Sequence, residues 1–437
     1  MTPLFSAHDR LPDTPVRTVR IALIGPAHPY KGGGARHTTE LARWLSDAGH
    51  DVVLESWSHQ YPAGLYPGGQ QTVDVAEGEP FPGTRRELSW RNPIGWWRAG
   101  RRLRDRDLVV FALLIPPQAV PYLTILSGLQ AKLPGARGGK PTPRTVVICH
   151  NVAPHESRPA DQQLVRWLLR RAGAALTHSD AEARRARELA PAALVTAARM
   201  PPHLPAAAAA VPAGDHSASA GLTDSQPAES PAATRLLFFG IVRPYKGLDV
   251  LLRAMARGPE QVTLTVAGEF WGKAEAETRA LIAELGLTSR VTLRPGYVAA
   301  DQIPALFDAA DALVLPYRTA TSSQNAWLAF EYGKPVVVTR AGTLADAVRD
   351  GVDGVVCEPD DEDDLLRALV RFSAPGEASR LRSGVQAADP GRYWKEYLDA
   401  LLSFVPAPGP GPGPRPGPAK SDPDPAPDVP GLRPTSR

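Results

Sequence analysis

The sequence predicts an α/β protein built from two doubly wound domains. Three observations carry this. From Arg20 to Phe404, short apolar runs of strand length alternate with segments whose apolar residues recur at helical spacing. Two of the resulting strand–loop–helix units have glycine-bearing, basic loops. One runs from Arg20 through Gly32-Gly33-Gly34, the other from Leu236 through Gly240 to Gly247. Between the two halves, residues 204–233 lose nearly all large apolar side chains, as a linker or disordered insertion does.

Composition sets the outer bounds. At 437 residues and 43% hydrophobic, the chain is long enough for two large cores. A formal charge of +3 gives no argument for nucleic-acid binding, and none is expected. Two cysteines, Cys149 and Cys357, support neither a disulfide framework nor a metal cluster, so a reducing compartment is expected. Met1 to Arg20 contain no apolar core with a cleavage site, so no signal peptide is expected. No apolar run reaches the ~18 residues of a membrane span. The expected location is the cytoplasm, with peripheral contact to the inner face of the membrane as a further expectation.

Taken in order, residues 1–17 read as a flexible leader. Arg20 to Gly25 form the first strand, and Thr38, Leu41, Ala42, Trp44 and Leu45 carry the first helix. Asp51 to Leu54 follow as a strand. The glycine loop between them lets backbone approach a ligand and aims a helix N-terminus at it. Its spacing does not match the dinucleotide fingerprint, which counts against a nicotinamide enzyme. From Trp96 to Arg106, tryptophan and arginine are dense. This segment reads first as an ordinary amphipathic helix with core tryptophans and solvated arginines. Its second reading is a surface for membrane headgroups or a phosphorylated lipid acceptor. Leu108 to Leu114, Thr145 to Cys149 and Ala174 to Thr177 are strands, the last two ending in His150 and His178. Polar groups at the carboxyl ends of buried strands sit where open α/β sheets bind ligands.

The second half repeats the alternation. Strands are expected at Leu236–Phe239, Thr263–Ala267, Arg290–Leu293, Ala312–Pro316 and Val336–Thr339. Helices are expected from Leu248, and over 274–285, 301–310, 326–330 and 365–372. Arg243 and Lys246, just past the first of these strands, offer a planar fork of donors and a compact point charge, a pair suited to a diphosphate. Tyr393, Trp394, Tyr397, Leu398 and Leu401 lie on one face of a last helix. The organisation is a leader (1–17), a first domain (18–203), a linker (204–233), a second domain (234–388), a closing helix (389–404) and a disordered Pro/Gly-rich tail (405–437).

Four segments together resemble the retaining glycosyltransferases of family 4, with GT-B architecture. They are Gly25-Pro26-Ala27-His28-Pro29-Tyr30-Lys31-Gly32-Gly33, Gly240-Ile241-Val242-Arg243-Pro244-Tyr245-Lys246-Gly247, Leu315-Pro316-Tyr317-Arg318-Thr319-Ala320-Thr321, and Gly333-Lys334-Pro335-Val336-Val337. The resemblance implies two Rossmann-like, doubly wound domains facing each other across a cleft, the first on the acceptor side and the second binding a UDP- or GDP-linked sugar. The closing helix would cross back to the first domain. It implies transfer of a hexosyl group, with retention and without a metal or cofactor, to a glycan or lipid-linked acceptor in polysaccharide or glycolipid biosynthesis. Arg243 and Lys246 would hold the donor diphosphate, and His150 would contact the transferred sugar. Gly32, Gly33, Gly34, Gly240, Thr321, Ser322 and Ser323 would complete the donor site. Two places depart from the family pattern. The arginine usual at Ile241 stands instead at Arg243, and the usual glutamates are replaced by Ala320 and Leu328. Glu331, one helical turn beyond Leu328, is the candidate substitute. A non-catalytic nucleotide-sugar or glycan-binding protein is the alternative reading, and a sugar-nucleotide epimerase ranks below it.

Overall fold

The computed structural model describes residues 17–60, 72, 80–131, 142–152, 159–202, 233–320 and 324–406. Most of the expected leader and linker, and the tail beyond Pro406, lie outside these residues. So do Thr321, Ser322 and Ser323.

The first half is a seven-stranded sheet. Its strands are β1 (Arg20–Ile24), β2 (Asp51–His59), β3 (Thr84–Ser89), β4 (Leu108–Leu113), β5 (Arg144–Cys149), β6 (Ala174–Thr177) and β7 (Leu194–Ala197). Their order is β3-β2-β1-β4-β5-β6-β7, and every pairing is parallel. Helices α1 (Gly33–Asp47), α2 (Pro93–Arg102), α3 (Ala119–Gln130), α4 (Pro159–Ala172) and α5 (Asp180–Leu189) complete this half. Side chains alternate across a strand. Ala22 and Ile24 of β1 therefore join α2, α3, α4 and α5 in one core, while Ile21 and Leu23 are buried on the opposite face.

The second half is a six-stranded parallel sheet, ordered β10-β9-β8-β11-β12-β13. The strands are β8 (Thr234–Phe239), β9 (Val262–Gly268), β10 (Val291–Pro295), β11 (Ala312–Leu315), β12 (Val336–Thr339) and β13 (Gly354–Cys357). The helices are α6 (Leu248–Arg257), α7 (Ala274–Glu284), α8 (Ile303–Asp308), α9 (Asn325–Glu331), α10 (Glu362–Phe372), α11 (Glu377–Gly384) and α12 (Pro390–Leu402). Leu236 and Phe238 face a core with α6 and α10, and Leu237 faces a second core with α8 and α9. Both faces are covered, so these strands read as continuous apolar runs rather than alternating ones.

In each sheet the strand order reverses once, between β1 and β4 and between β8 and β11. Loops leaving the strands diverge at such a point, and the gap at the carboxyl ends is where open α/β sheets bind ligands. The described residues up to Phe404 form one compact unit. Within it α12 returns to the first half. Trp394 stacks on His37 and Trp44 of α1 at 5.6 and 5.7 Å, and its indole donates to the Pro202 carbonyl at 3.1 Å. Tyr393 on the same helix packs on Trp327 of α9 at 5.0 Å. One aromatic helix therefore touches both halves.

Several elements have no signal of the expected kind. β3 reads Thr-Arg-Arg-Glu-Leu-Ser, an edge strand too polar to announce itself. β7 is another edge strand, only four residues long. α3 is apolar on nearly every side, so no helical period stands out.

Candidate active site

The basic loop after β8 is shaped by its own backbone. Gly240 leaves the strand, and Arg243 is extended at φ −139°. Pro244–Lys246 make one 3-10 turn, and Gly247 takes φ +65° before α6 begins. A side chain at Gly247 is excluded twice. Its φ favours glycine, and a Cβ there would stand 2.0 Å from the Pro316 carbonyl oxygen. Arg318 clamps the turn from β11's side. Its backbone N–H donates to the Tyr245 carbonyl, and Nη1 donates to the Pro244 carbonyl, both at 2.8 Å. The guanidinium also forms a two-pronged pair with Asp249 at 2.7 Å and binds Asp360. Hydrogen bonds to Asp249 and Asp360 push the Arg318 pKa up. Partial burial raises the Asp249 carboxyl, but its bonds to Arg318 win and hold it below the usual range.

This scaffold holds Lys246 in a buried place, 8% exposed. Its ammonium lies 5.1 Å from the centre of the Tyr317 ring. Among the described residues it makes no hydrogen bond or ion pair. Burial, with the nearby charge of Arg243 adding, pushes its pKa down. A Cβ built on Gly240 would be 3.4 Å from both the Lys246 Nζ and the Asn325 Nδ2, so these groups surround one small space. Asn325 Nδ2 donates to the Phe239 carbonyl at 2.9 Å and to the Tyr317 hydroxyl at 3.4 Å. The Arg243 guanidinium lies over the Trp271 ring at 4.4 Å and is 5.7 Å from the Tyr245 ring. An unpaired buried cation is costly. Placed beside an arginine at a switch point, it is chemically a receptor for an anion with several oxygens.

The loop after β1 faces this pocket from the other half. Lys31 Nζ is 3.8 Å from a Glu269 carboxylate oxygen and 4.0 Å from the centre of the Tyr297 ring. Glu269 is tied to the basic loop, because its carbonyl accepts from the Val242 N–H at 2.8 Å. Of the three loop glycines, Gly32 has φ +99° and open space beside it. Gly33 and Gly34 already belong to the first turn of α1, and a Cβ at Gly34 would overlap the Leu114 side chain.

His150 ends β5 in a buried aromatic group. Its ring is 5.1 Å from His37 and 4.9 Å from His178. His37 Nε2 and the Tyr397 hydroxyl share a hydrogen bond of 3.1 Å, and the Tyr397 ring stacks on His178, so α12 packs against the His37 and His178 side of the group. Burial pushes the His178 imidazole down to about 4 and the Tyr397 phenol well up. Glu182 accepts from the Val152 N–H at 2.6 Å and pins the chain just beyond His150.

The fold thus brings Gly240, Arg243 and Lys246 together, and Lys31, next to Gly32, reaches Glu269 beside the same loop. Glu331 is half-buried, and burial raises its carboxyl pKa. No hydrogen bond, ion pair or ring contact among the described residues ties it to Arg243 or Lys246. Sequence reasoning assigned no role to Tyr317, Asn325, Trp271, Glu269 or Tyr297. Each lies within or next to a segment that drew attention, but nothing in its spacing states what it faces.

Comparison with known proteins agrees with this fold. Two parallel sheets with interleaved helices place the fold in the GT-B class. Anabaena HepE, solved in complex with UDP and glucose, superposes with a TM-score of 0.64 at 16% identity, over 88% of this chain and all of that one. Sucrose-phosphate synthase from Thermosynechococcus elongatus gives 0.60 at 16% identity, over 88% of this chain and 96% of that one. Residues 31–196 match the profile described as Glycosyltransferase Family 4, and residues 233–374 match Glycosyl transferases group 1. Each half of the chain therefore matches a glycosyltransferase profile, and the chain is similar to the glycosyltransferases of family 4. It is 36% identical over 173 residues to the D-inositol 3-phosphate glycosyltransferase of Mycobacterium avium, covering 38% of this chain and 40% of that one. The corresponding protein of Xylanimonas cellulosilytica is 34% identical over 181 residues, covering 40% and 42%. The matched stretch is therefore well under half the length of these relatives.

Proposed function

We propose that this protein transfers a hexosyl group from a UDP- or GDP-sugar to a glycan or lipid-linked acceptor, with retention and without a metal ion. The observation that carries the reading is Lys246, a buried ammonium with no carboxylate partner among the described residues. Lys246 and Arg243 supply the two positive charges that a diphosphate needs. As the bond from the sugar carbon to the diphosphate oxygen breaks, charge builds on that oxygen, and the two side chains stabilise it. The acceptor hydroxyl attacks the sugar carbon from the face the diphosphate is leaving. Its proton passes to the departing oxygen, so the configuration is kept and the charges balance. Gly32 and Gly240 let backbone approach the donor. His150, at the end of β5, is assigned to the transferred sugar.

The resemblance to family 4 supports the class of reaction. HepE was solved with UDP-glucose, which favours a uridine donor as the first to try. A second reading, nucleotide-sugar binding without transfer, is favoured by one observation. Leu328 and Ala320 stand where family members carry glutamates, and Leu328 is buried and apolar.

The test is a thermal-shift panel of UDP-, GDP- and ADP-sugars without added metal, followed by transfer assays with the donor that binds. Ligand binding to the folded state raises the melting temperature by mass action. The wild type is expected to shift and to transfer, and Lys246→Ala to lose the shift and nearly all of the transfer rate. Transfer that survives Lys246→Ala and Arg243→Ala overturns the phosphate assignment. A shift without transfer to any glycan or lipid-linked acceptor selects the second reading.

A further inference from the structure

We propose that the outer faces of α2, α3 and α4 form a docking surface for a membrane rich in anionic phospholipid. This goes beyond the transfer reading and does not depend on turnover.

The three helices cover one face of the seven-stranded sheet. Trp96, Tyr122, Ile125, Val165 and Leu168 turn inward into a single core. α2 and α3 meet backbone to backbone. A Cβ on Gly100 would stand 2.1 Å from the Ile125 carbonyl oxygen, and one on Gly128 would stand 2.2 Å from that of Trp97. Such contact admits only glycine and makes the pair a rigid platform.

The outward side chains are unusual for a surface facing water. Ile94 is 64% exposed, Trp97 41%, Val120 47% and Trp167 52%. Scattered singly, such residues need no explanation, but here they stand on three adjoining helices. Ile94, Trp97, Arg98 and Arg101 follow the spacing of one helical stripe. Leu123 lines a groove with Trp167, Arg170 and Arg171 between α3 and α4.

Charge selects the occupant. α2 and α3 contain no acidic residue, and α4 contains one, Asp161. Arg98, Arg101, Arg170 and Arg171 make no ion pair among the described residues. Arg102, at the end of α2, is by contrast held by Glu55 and Glu87. Arg101 instead lies 5.4 Å from the Trp97 ring. Tryptophan beside unpaired arginine matches a bilayer interface, where the rings enter the headgroup layer and the guanidinium groups bind phosphates. A second copy of this chain fits worse, because a two-fold contact would set arginines against arginines with almost no carboxylate between them.

The experiment uses the full chain and extruded vesicles, either phosphatidylcholine alone or with about one third phosphatidylglycerol. Co-sedimentation and tryptophan emission report binding. The wild type is expected to bind the anionic vesicles, to bind the neutral ones far less, and to release as salt is raised. The double variant Arg98→Ala/Arg101→Ala is expected to lose about tenfold or more in affinity. Ile94→Glu is expected to abolish binding with an unchanged melting curve. Three results overturn the proposal: equal or absent binding to both vesicle types, variants that bind as the wild type does, or a concentration-dependent dimer that Ile94→Glu disperses. If the variants fail to fold, the lipid and salt dependence of the wild type decides alone.

Discussion

Lys31 and Lys246 hold corresponding places in two strand–loop–helix units. Each precedes a glycine of positive φ that caps a helix, Gly32 before α1 and Gly247 before α6. Each is largely buried, with a Lys31 side chain 10% exposed and Lys246 8% exposed. Their partners differ. Lys31 faces Glu269 and the Tyr297 ring, whereas Lys246 has an arginine and aromatic rings for neighbours and no carboxylate. Removing a charge from water is costly unless something compensates it. The protein provides that compensation for Lys31. For Lys246 no carboxylate among the described residues provides it, and on the proposed reading the donor diphosphate would. That separates a lysine that joins two loops from one proposed to receive an anion.

The sharpest way to break this comparison is to remove each charge in turn. Lys246→Ala is expected to lower the transfer rate by about 10²–10³, the usual effect of deleting one preorganised donor to a leaving group. Lys31→Ala should change it by less than about tenfold. Equal losses in a transfer assay would end the distinction. The two glycines come next. Gly247→Ala adds a left-handed strain and a collision with the Pro316 carbonyl, and is expected to destabilise by about 2–4 kcal/mol in chemical denaturation. Gly32→Ala meets no neighbour, so only the backbone term of about 1–2 kcal/mol remains.

A smaller effect has the opposite sign. Lys246→Met is expected to stabilise the ligand-free protein by about 1 kcal/mol while abolishing its shift with donor. The folded pKa of Lys246 lies below the ordinary lysine value, so between the two the unfolded chain binds more protons. The penalty of the charged form is complete below the folded pKa and fades as pH rises through it. The gain from Lys246→Met should therefore shrink in alkaline solution, and a gain independent of pH would refute the cause assigned to it. Glu269→Gln should have the least effect. Its pair with Lys31 is long and partly exposed, so a melting change of under about 1 kcal/mol is expected.

The limits of sequence reading follow the same physics. β1, β4, β8 and β11 are legible because central parallel strands must be apolar on both faces. β3 and β7 are not, because an edge strand has one open side and tolerates Arg85, Arg86 and Glu87. The Trp/Arg segment was legible as an amphipathic helix, but not in the division of its tryptophans. Trp96 is in the core and hydrogen-bonds the Ser89 carbonyl at 2.8 Å, while its neighbour Trp97 faces outward.

The sequence by itself determined the two α/β halves, the basic loop between Gly240 and Gly247, and the resemblance these motifs carry to glycosyltransferase family 4. Those are local properties, set by residue type and by spacing along one chain. Only the tertiary structure decided that Lys246 lacks a carboxylate among the described residues while Lys31 has one, that Asn325 and Tyr317 flank Lys246, and that α12 packs on His37 and His178. Each of these depends on groups dozens to hundreds of residues apart in the chain. Whether a buried charge meets its opposite across such a distance is settled by the packing of strands and helices, which spacing along one chain does not state.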